Sequence, residues 1–304
     1  MEVRLSEEVE QARAAGGPIV VLESSVIAQG LPFPVSLEAA RACEEAVRRA
    51  GAVPAVVAVV DGMVRCGLSA DEVRRLAVGP ERRWKVGVGE LASAALQRAT
   101  GGTTVSATCA VAAACGLPVF ATGGIGGVHR GEALDVSADL CALARYPGMV
   151  VCTGAKSVLD LPRTLEALEA LGVPVLGFGV SEFPAFYADR SGLRLEHRAD
   201  TPELAAEALH AQRDRLGLPQ AIVLTVPPPP EVALDKDELD RALLAAEAEA
   251  RRQGVTGKAV TPFLLSRLVE ATGGRTLQAN VALLARNARV AADIAVAYAR
   301  IRTG

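Results

Sequence analysis

Of the 32 basic side chains in the 304-residue sequence only Lys85, Lys156, Lys236 and Lys258 are lysines, which leaves 28 arginines. A chain that carries almost all its solvated positive charge as arginine invites the question of what its few amines do. An amine forms an imine with a carbonyl once burial or a neighbouring cation leaves part of it uncharged, whereas a guanidinium stays protonated. Lys156 is the candidate, because it follows an apolar run directly in Val151-Cys152-Thr153-Gly154-Ala155-Lys156-Ser157. By position alone a strand-end lysine pointing to water is the more common case. Glu23 closes a second such run, Val20-Val21-Leu22-Glu23-Ser24-Ser25. A carboxyl flanked by apolar residues suits general acid chemistry; capping a helix or pairing with an arginine is the alternative.

Thr122-Gly123-Gly124-Ile125-Gly126-Gly127-Val128-His129-Arg130 places four glycines in five positions and then two groups able to donate to an anion. Glycines let backbone N–H groups approach a phosphate, and His129 and Arg130 add charge-assisted donors. The spacing is neither a dinucleotide fingerprint, since His129 stands where the third glycine belongs, nor a P-loop. Phosphate binding is favoured here over a merely tight turn. Asp135-Val136-Ser137-Ala138-Asp139 follows. Two carboxylates four apart can hold a hard divalent cation largely through water, but the spacing favours helix capping.

These residues need a scaffold that brings strand ends together. Short apolar runs at Pro18 to Leu22, Pro54 to Val60, Pro118 to Ala121, Met149 to Cys152, Val173 to Leu176 and Ala221 to Thr225 read as buried strands. Helical patterns lie between them: after a Ser36 N-cap, after the Ser69-Ala70-Asp71-Glu72 capping box, and over about Leu161–Leu171, Pro202–Leu216, Leu239–Gln253 and Asn280–Ile301. This alternation predicts an α/β fold, a mostly parallel central sheet with helices on both faces (an α/β/α sandwich), whose ligands sit at the carboxyl ends of the strands. Half the residues are apolar but only 3% are aromatic, with 29 Gly and 17 Pro, a composition suited to closely packed layers. Pro227-Pro228-Pro229-Pro230 reads as a rigid loop within a single domain spanning 1–304, because no new set of strands follows it.

A formal charge of −3 gives no general attraction to nucleic acid or to a membrane surface. The most apolar stretches, Ala52 to Val60 and Val105 to Phe120, fall short of the roughly 20 residues of a membrane span. The first nine residues alternate charge with apolar side chains at helical spacing, unlike a signal peptide. Six cysteines (Cys43, Cys66, Cys109, Cys115, Cys141, Cys152) with no metal-ligand spacing are expected to be reduced core thiols of a cytoplasmic protein.

Taken together and in order, Leu22-Glu23-Ser24-Ser25, Gly51-Ala52-Val53-Pro54-Ala55, Gly102-Thr103-Thr104-Val105, the glycine loop from Ala121 to Gly131, Asp135-Val136-Ser137-Ala138-Asp139-Leu140, Gly154-Ala155-Lys156-Ser157 and Asn287-Ala288-Arg289 resemble the motifs of pseudouridine-5'-phosphate glycosidases over essentially the whole chain. The resemblance implies reversible cleavage of pseudouridine 5'-phosphate to uracil and ribose 5-phosphate. Lys156 is then the nucleophile forming an imine with C1 of the ring-opened ribose, and Glu23 the proton donor and acceptor. Asp135 would hold one Mn2+ per subunit, largely through water; Lys85, Val105, Ser137, Ala138 and Asp139 would contact the substrate. A homotrimer is implied. The phosphate falls to the loop of Thr122, Gly123, Gly124, His129 and Arg130. The chain departs from the usual pattern at Ser24-Ser25, at Gln29-Gly30, over Val86-Gly87-Val88-Gly89-Glu90 and at Val226-Pro227.

Two other functions fit the same residues. An aldolase-type phosphosugar lyase would use the same lysine with another carbon leaving group, and uracil-dependent consumption of ribose 5-phosphate separates it. A non-catalytic phosphometabolite-binding regulator would show ligand-induced thermal stabilisation without turnover.

Overall fold

A computed structural model describes residues 2–79, 83–131, 135–255 and 260–303; Lys258 lies outside them. The first half of the chain forms strands β1 (Val3–Leu5), β2 (Ile19–Leu22), β3 (Val53–Val60), β4 (Met63–Cys66), β5 (Trp84–Val86), β6 (Gly101–Thr103), β7 (Val119–Ala121) and β8 (Val128–His129). The second half adds β9 (Gly148–Cys152), β10 (Leu159–Asp160), β11 (Val175–Phe178), β12 (His197–Ala199) and β13 (Ala221–Thr225). The helices of the first half are α1 (Glu7–Ala14), α2 (Val35–Arg49), α3 (Ala70–Val78), α4 (Leu91–Leu96), α5 (Val105–Cys115) and α6 (Ala138–Leu143). Those that follow are α7 (Leu161–Ala170), α8 (Pro202–Leu209), α9 (Lys236–Arg252), α10 (Val260–Ala271) and α11 (Arg275–Thr303).

Eleven strands make one sheet in the order β1-β4-β3-β2-β7-β9-β13-β11-β12, with β6 joined to β3 and β5 to β6; β8 and β10 form a separate antiparallel pair. The central run from β3 through β12 is parallel, and among the described residues antiparallel pairing within this sheet is that of β3 with β4 and with β6. The sheet is therefore mostly parallel with helices around it. Its central strands are buried on both faces, as Ile19–Leu22 and Ala221–Thr225 are throughout, which is why they read as unbroken apolar runs.

Helix α5 is the element the sequence concealed. Nine of its eleven residues are buried, so it has no polar face and no amphipathic period to recognise. Gly116, with φ +71°, closes it in the left-handed region. The Ser69 capping box is present as expected. Ser36 is not an N-cap: α2 starts at Val35 directly after Pro34, which places Ser36 inside the helix, buried and with its hydroxyl unpartnered. The expected helical start of the chain gives way to β1, whose pairing with β4 overrides local spacing; α1 follows behind the Ser6 cap. The strand expected from Val173 begins only at Val175, beyond Pro174, which has no N–H for the ladder. Helix α8 stops at Leu209 and passes into a wider π turn over His210–Arg215. That turn lets Asp214 accept from the Tyr298 hydroxyl at 2.6 Å and meet His210 at 3.0 Å. Five cysteines are buried, but Cys141 is exposed, because Leu140 and Leu143 take the inward face of the short α6.

Candidate active site

Three neighbouring parallel strands, β2, β7 and β9, end together, and the residues just past their ends build the site. Glu23, one residue beyond β2, is 7% exposed. Its Oε1 accepts from the Thr122 hydroxyl at the end of β7, and its Oε2 from the Ser25 hydroxyl. Among the described residues neither a helix cap nor an arginine pair accounts for it. Behind it lies an apolar cavity of about 20 Å³ lined by Leu22, Val26, Ile27, Ala39, Cys43 and Leu284, room for about one water.

The glycine loop after β7 and the lysine loop after β9 run side by side. Thr153 N donates to Gly123 O at 2.8 Å, Ile125 N to Gly154 O at 3.0 Å and Lys156 N to Ile125 O at 3.1 Å. Lys156 is half-buried. Adjacent strands are about 4.8 Å apart, so the two-strand separation between the ends of β2 and β9 is about 10 Å, a span that a lysine side chain and a small ligand fill.

The side chain that fixes these loops together is Asn287 of α11, fully buried. Its Nδ2 donates to Thr122 O at 2.8 Å and Thr153 Oγ1 at 2.9 Å, joining the residue that holds Glu23 to the loop that carries Lys156. The sequence offered a signal for this role, an amide among Leu283, Leu284, Ala288 and Ala291 on the buried face of a helix, where a polar group needs partners. The partners themselves lie in distant segments. Aromatic rings close the floor: a Cβ on Gly124 would come within 2.6 Å of the Phe186 ring, and one on Gly154 within 3.1 Å of Phe183. Phe186 holds φ +64°, a strained value for an aromatic residue, and its ring meets Tyr187 edge to face at 4.6 Å.

Asp139 is also buried, but both its oxygens are taken by backbone: Oδ1 accepts from Ser106 N in the first turn of α5 at 2.9 Å, Oδ2 from Gly126 N at 2.8 Å. Ser137 caps α6 and its N donates to Gly127 O, so Val105, Ser137, Ala138 and Asp139 gather where α5, α6 and the glycine loop meet. Lys85 lies exposed on β5, in register with Gly102 of β6, whose Cβ would meet Ser24 O at 2.5 Å.

The glycine loop is a packed spine. The N–H groups of Thr122, Ile125, Gly126 and Val128 donate within the protein, and a Cβ on Gly126 or Gly127 would collide with Ser137 or Thr164. His129 is half-buried on β8. Arg130 turns away from the strand ends, donating from Nε to Leu159 O at 3.2 Å and pairing with Glu247 of α9 at 3.8 Å. It borders a cavity of about 550 Å³ shared with Ser157, Lys236, Leu239, Leu243 and Leu268. Asp135 is exposed, with its carbonyl accepting from His129 N at 2.9 Å. Among the described residues no three His, Cys, Asp or Glu side chains converge on a metal position.

The scaffold is an α/β fold that sets a lysine and a hydroxyl-held carboxyl just past the carboxyl ends of β9 and β2, the strands on either side of β7. Residues 8–297 match the family model described as indigoidine synthase A like protein. A pseudouridine-5'-phosphate glycosidase of Myxococcus xanthus is 58% identical over 302 residues, 99% of each chain, and one of Chloroflexus aurantiacus 48% over 298 residues, 97% of this chain and 98% of the relative. The solved structure of the prealnumycin C-glycosynthase AlnA in complex with ribulose 5-phosphate superposes with a TM-score of 0.91 at 35% identity, covering 99% of this chain and 98% of that one. An indigoidine synthase A-like protein of Thermotoga maritima gives 0.88 at 36% identity, with 97% and 95% covered. The chain belongs to the indigoidine synthase A like family and, within it, to the pseudouridine-5'-phosphate glycosidases. Among the described residues no helix is long and apolar enough to cross a membrane.

Proposed function

We propose that this protein reversibly cleaves the C-glycosidic bond of pseudouridine 5'-phosphate to uracil and ribose 5-phosphate. The observation that supports the reading is the position of Glu23 and Lys156 in the loops just past β2 and β9, the strands flanking β7, with Asn287 tying the supporting loops. A base joined through carbon lacks the heteroatom whose protonation helps ordinary glycosides to leave, so two carboxylates alone serve poorly. Lys156 Nζ bonds to C1 as the ring C1–O bond opens, and its lone pair then forms the C1=N imine while the C1–base bond breaks, the bond's electron pair leaving with the uracil carbon, which is protonated; water hydrolyses the imine to ribose 5-phosphate and the free amine. Glu23 moves protons between the sugar oxygen and the departing base carbon, and its hydroxyl partners keep contact with it in either protonation state because a hydroxyl donates or accepts. The similarity to a C-glycosynthase structure holding ribulose 5-phosphate supports a carbon–carbon bond to a phosphosugar as the reacting group.

Lys85, Val105, Ser137 and Ala138 face the sugar and base in this reading, while Asp139 shapes their loop. Thr122, Gly123 and Gly124 line the phosphosugar, and His129 and Arg130 serve its phosphate at the mouth of the larger cavity. Asp135 would hold one Mn2+ per subunit, and that ion would neutralise phosphate charge. A cytoplasmic homotrimer completes the proposal, with sedimentation as its check. The test of the chemistry is borohydride reduction in the presence of ribose 5-phosphate. A stable adduct on Lys156 is expected, together with release of free uracil from pseudouridine 5'-phosphate; an undiminished adduct in Lys156→Ala overturns the assignment.

A further inference from the structure

We propose that Gln29 is a positioning residue that sets Lys85 against Glu23 and thereby the affinity for the phosphosugar, an inference that rests on the reading of Lys85 as a substrate contact. The turn after Glu23 is the unusual element. Ser24 and Ser25 lead into a single π turn over Val26–Gly30, closed by Leu31 N donating to Val26 O at 3.0 Å. Wide turns of this kind are rare, occur mostly one at a time and are frequent at functional sites. This one has two holds. At its start the Ser25 hydroxyl donates to Glu23 Oε2. Near its end the Gln29 side chain reaches out of the turn, where Nε2 donates to Arg83 O at 3.3 Å and to Trp84 O at 3.0 Å.

Trp84 opens β5, and its carbonyl belongs to the peptide bond that continues into Lys85. Strand β5 is three residues long and, among the described residues, pairs with β6 alone. So short a ladder on one edge opens easily by itself. Two more hydrogen bonds, from a side chain 54 and 55 residues away in sequence, fix the backbone directly before Lys85. An amide nitrogen has two hydrogens, and here each meets a carbonyl, which leaves Nε2 none for a ligand. Gln29 is therefore placed to act through the strand rather than on the substrate.

The glycines of β6 make the bridge possible. A Cβ on Gly101 would collide with Trp84 O, and one on Gly102 would come within 2.5 Å of Ser24 O and 2.9 Å of the Ala28 Cβ. With no side chains at these two positions, β5 and the turn after Glu23 both close onto β6, near enough for one glutamine to span them. The amide is uncharged, so it holds the strand without itself attracting a phosphate.

The test is steady-state cleavage of pseudouridine 5'-phosphate by the wild type, Gln29→Met, Lys85→Met and the double variant. Gln29→Met keeps the length of the side chain and removes both donors. KM is expected to rise about threefold to tenfold, the contribution of one or two hydrogen bonds, with kcat held within about twofold. The melting temperature stays that of the wild type, because Gln29 is exposed. In the Lys85→Met background the same substitution is expected to leave KM unchanged, since a residue that acts through another has no effect once that other is gone. An unchanged KM in Gln29→Met, or a rise of equal size in both backgrounds, overturns the inference and leaves Lys85 as a substrate contact. An unchanged KM in Lys85→Met overturns that contact, and the inference with it.

Discussion

Asp139 and Glu23 are both buried carboxylates at the same end of the sheet, yet their partners differ in kind. Asp139 accepts from two backbone N–H groups, which only donate, so its contacts exist only while both oxygens accept. Glu23 accepts from the hydroxyls of Thr122 and Ser25, which can reverse their O–H and follow a proton onto or off the carboxyl. The first arrangement pins α5 to the glycine loop; the second leaves a carboxyl free to exchange protons. Burial alone does not distinguish a structural acid from a chemical one, but the identity of its donors does.

The largest expected effect is in Glu23→Gln. The amide keeps the shape but carries no transferable proton, so kcat should fall about 10²- to 10⁴-fold with melting temperature little changed. A wild-type rate in a steady-state uracil-release assay would break the comparison from the Glu23 side. Asp139→Asn should do the reverse. An amide nitrogen would face a backbone N–H, and leaving a buried donor unsatisfied costs about 1 to 3 kcal/mol, visible in denaturant unfolding. Unchanged stability would break it from the other side. Thr122→Val keeps the volume and removes one hydroxyl, so kcat should drop about tenfold, one hydrogen bond's worth, and the pH profile of kcat should move with it.

The smallest effect belongs to a third carboxylate, Asp214. Partial burial pushes its carboxyl up, but the Tyr298 hydroxyl, the His210 ring and the Arg213 charge together bring it below its ordinary 3.8. A depressed carboxyl contributes stability above its unfolded value and loses it as pH falls through the folded one. Wild-type stability should therefore decline between about pH 4 and pH 3 more than that of Asp214→Asn. Equal slopes in urea titrations would show that the Tyr298 contact adds nothing to acid resistance.

The sequence was most legible where a segment's own pattern sufficed. Ala221–Thr225 and the Ser69 capping box stand as read, because an unbroken apolar run and a hydroxyl three residues before a glutamate each carry local signals. Lys156 and Glu23 were recognisable as chemistry-bearing types at strand ends. The glycine run read as an open anion cradle, while the fold fills its Cβ spaces with Phe186, Ser137 and Thr164 from elsewhere in the chain. Helix α5 had no periodic signal because the protein surrounds it.

What the sequence determined alone is the inventory of groups and the alternation of strand and helix, both products of short-range preferences. Only the tertiary structure decided that Thr122 holds Glu23 and that Asn287 ties the loops after β7 and β9. Those contacts join residues from 99 to 165 positions apart, as in Glu23 to Thr122 and Asn287 to Thr122. Hydrogen bonds across such separations depend on how the layers close, which no local pattern encodes.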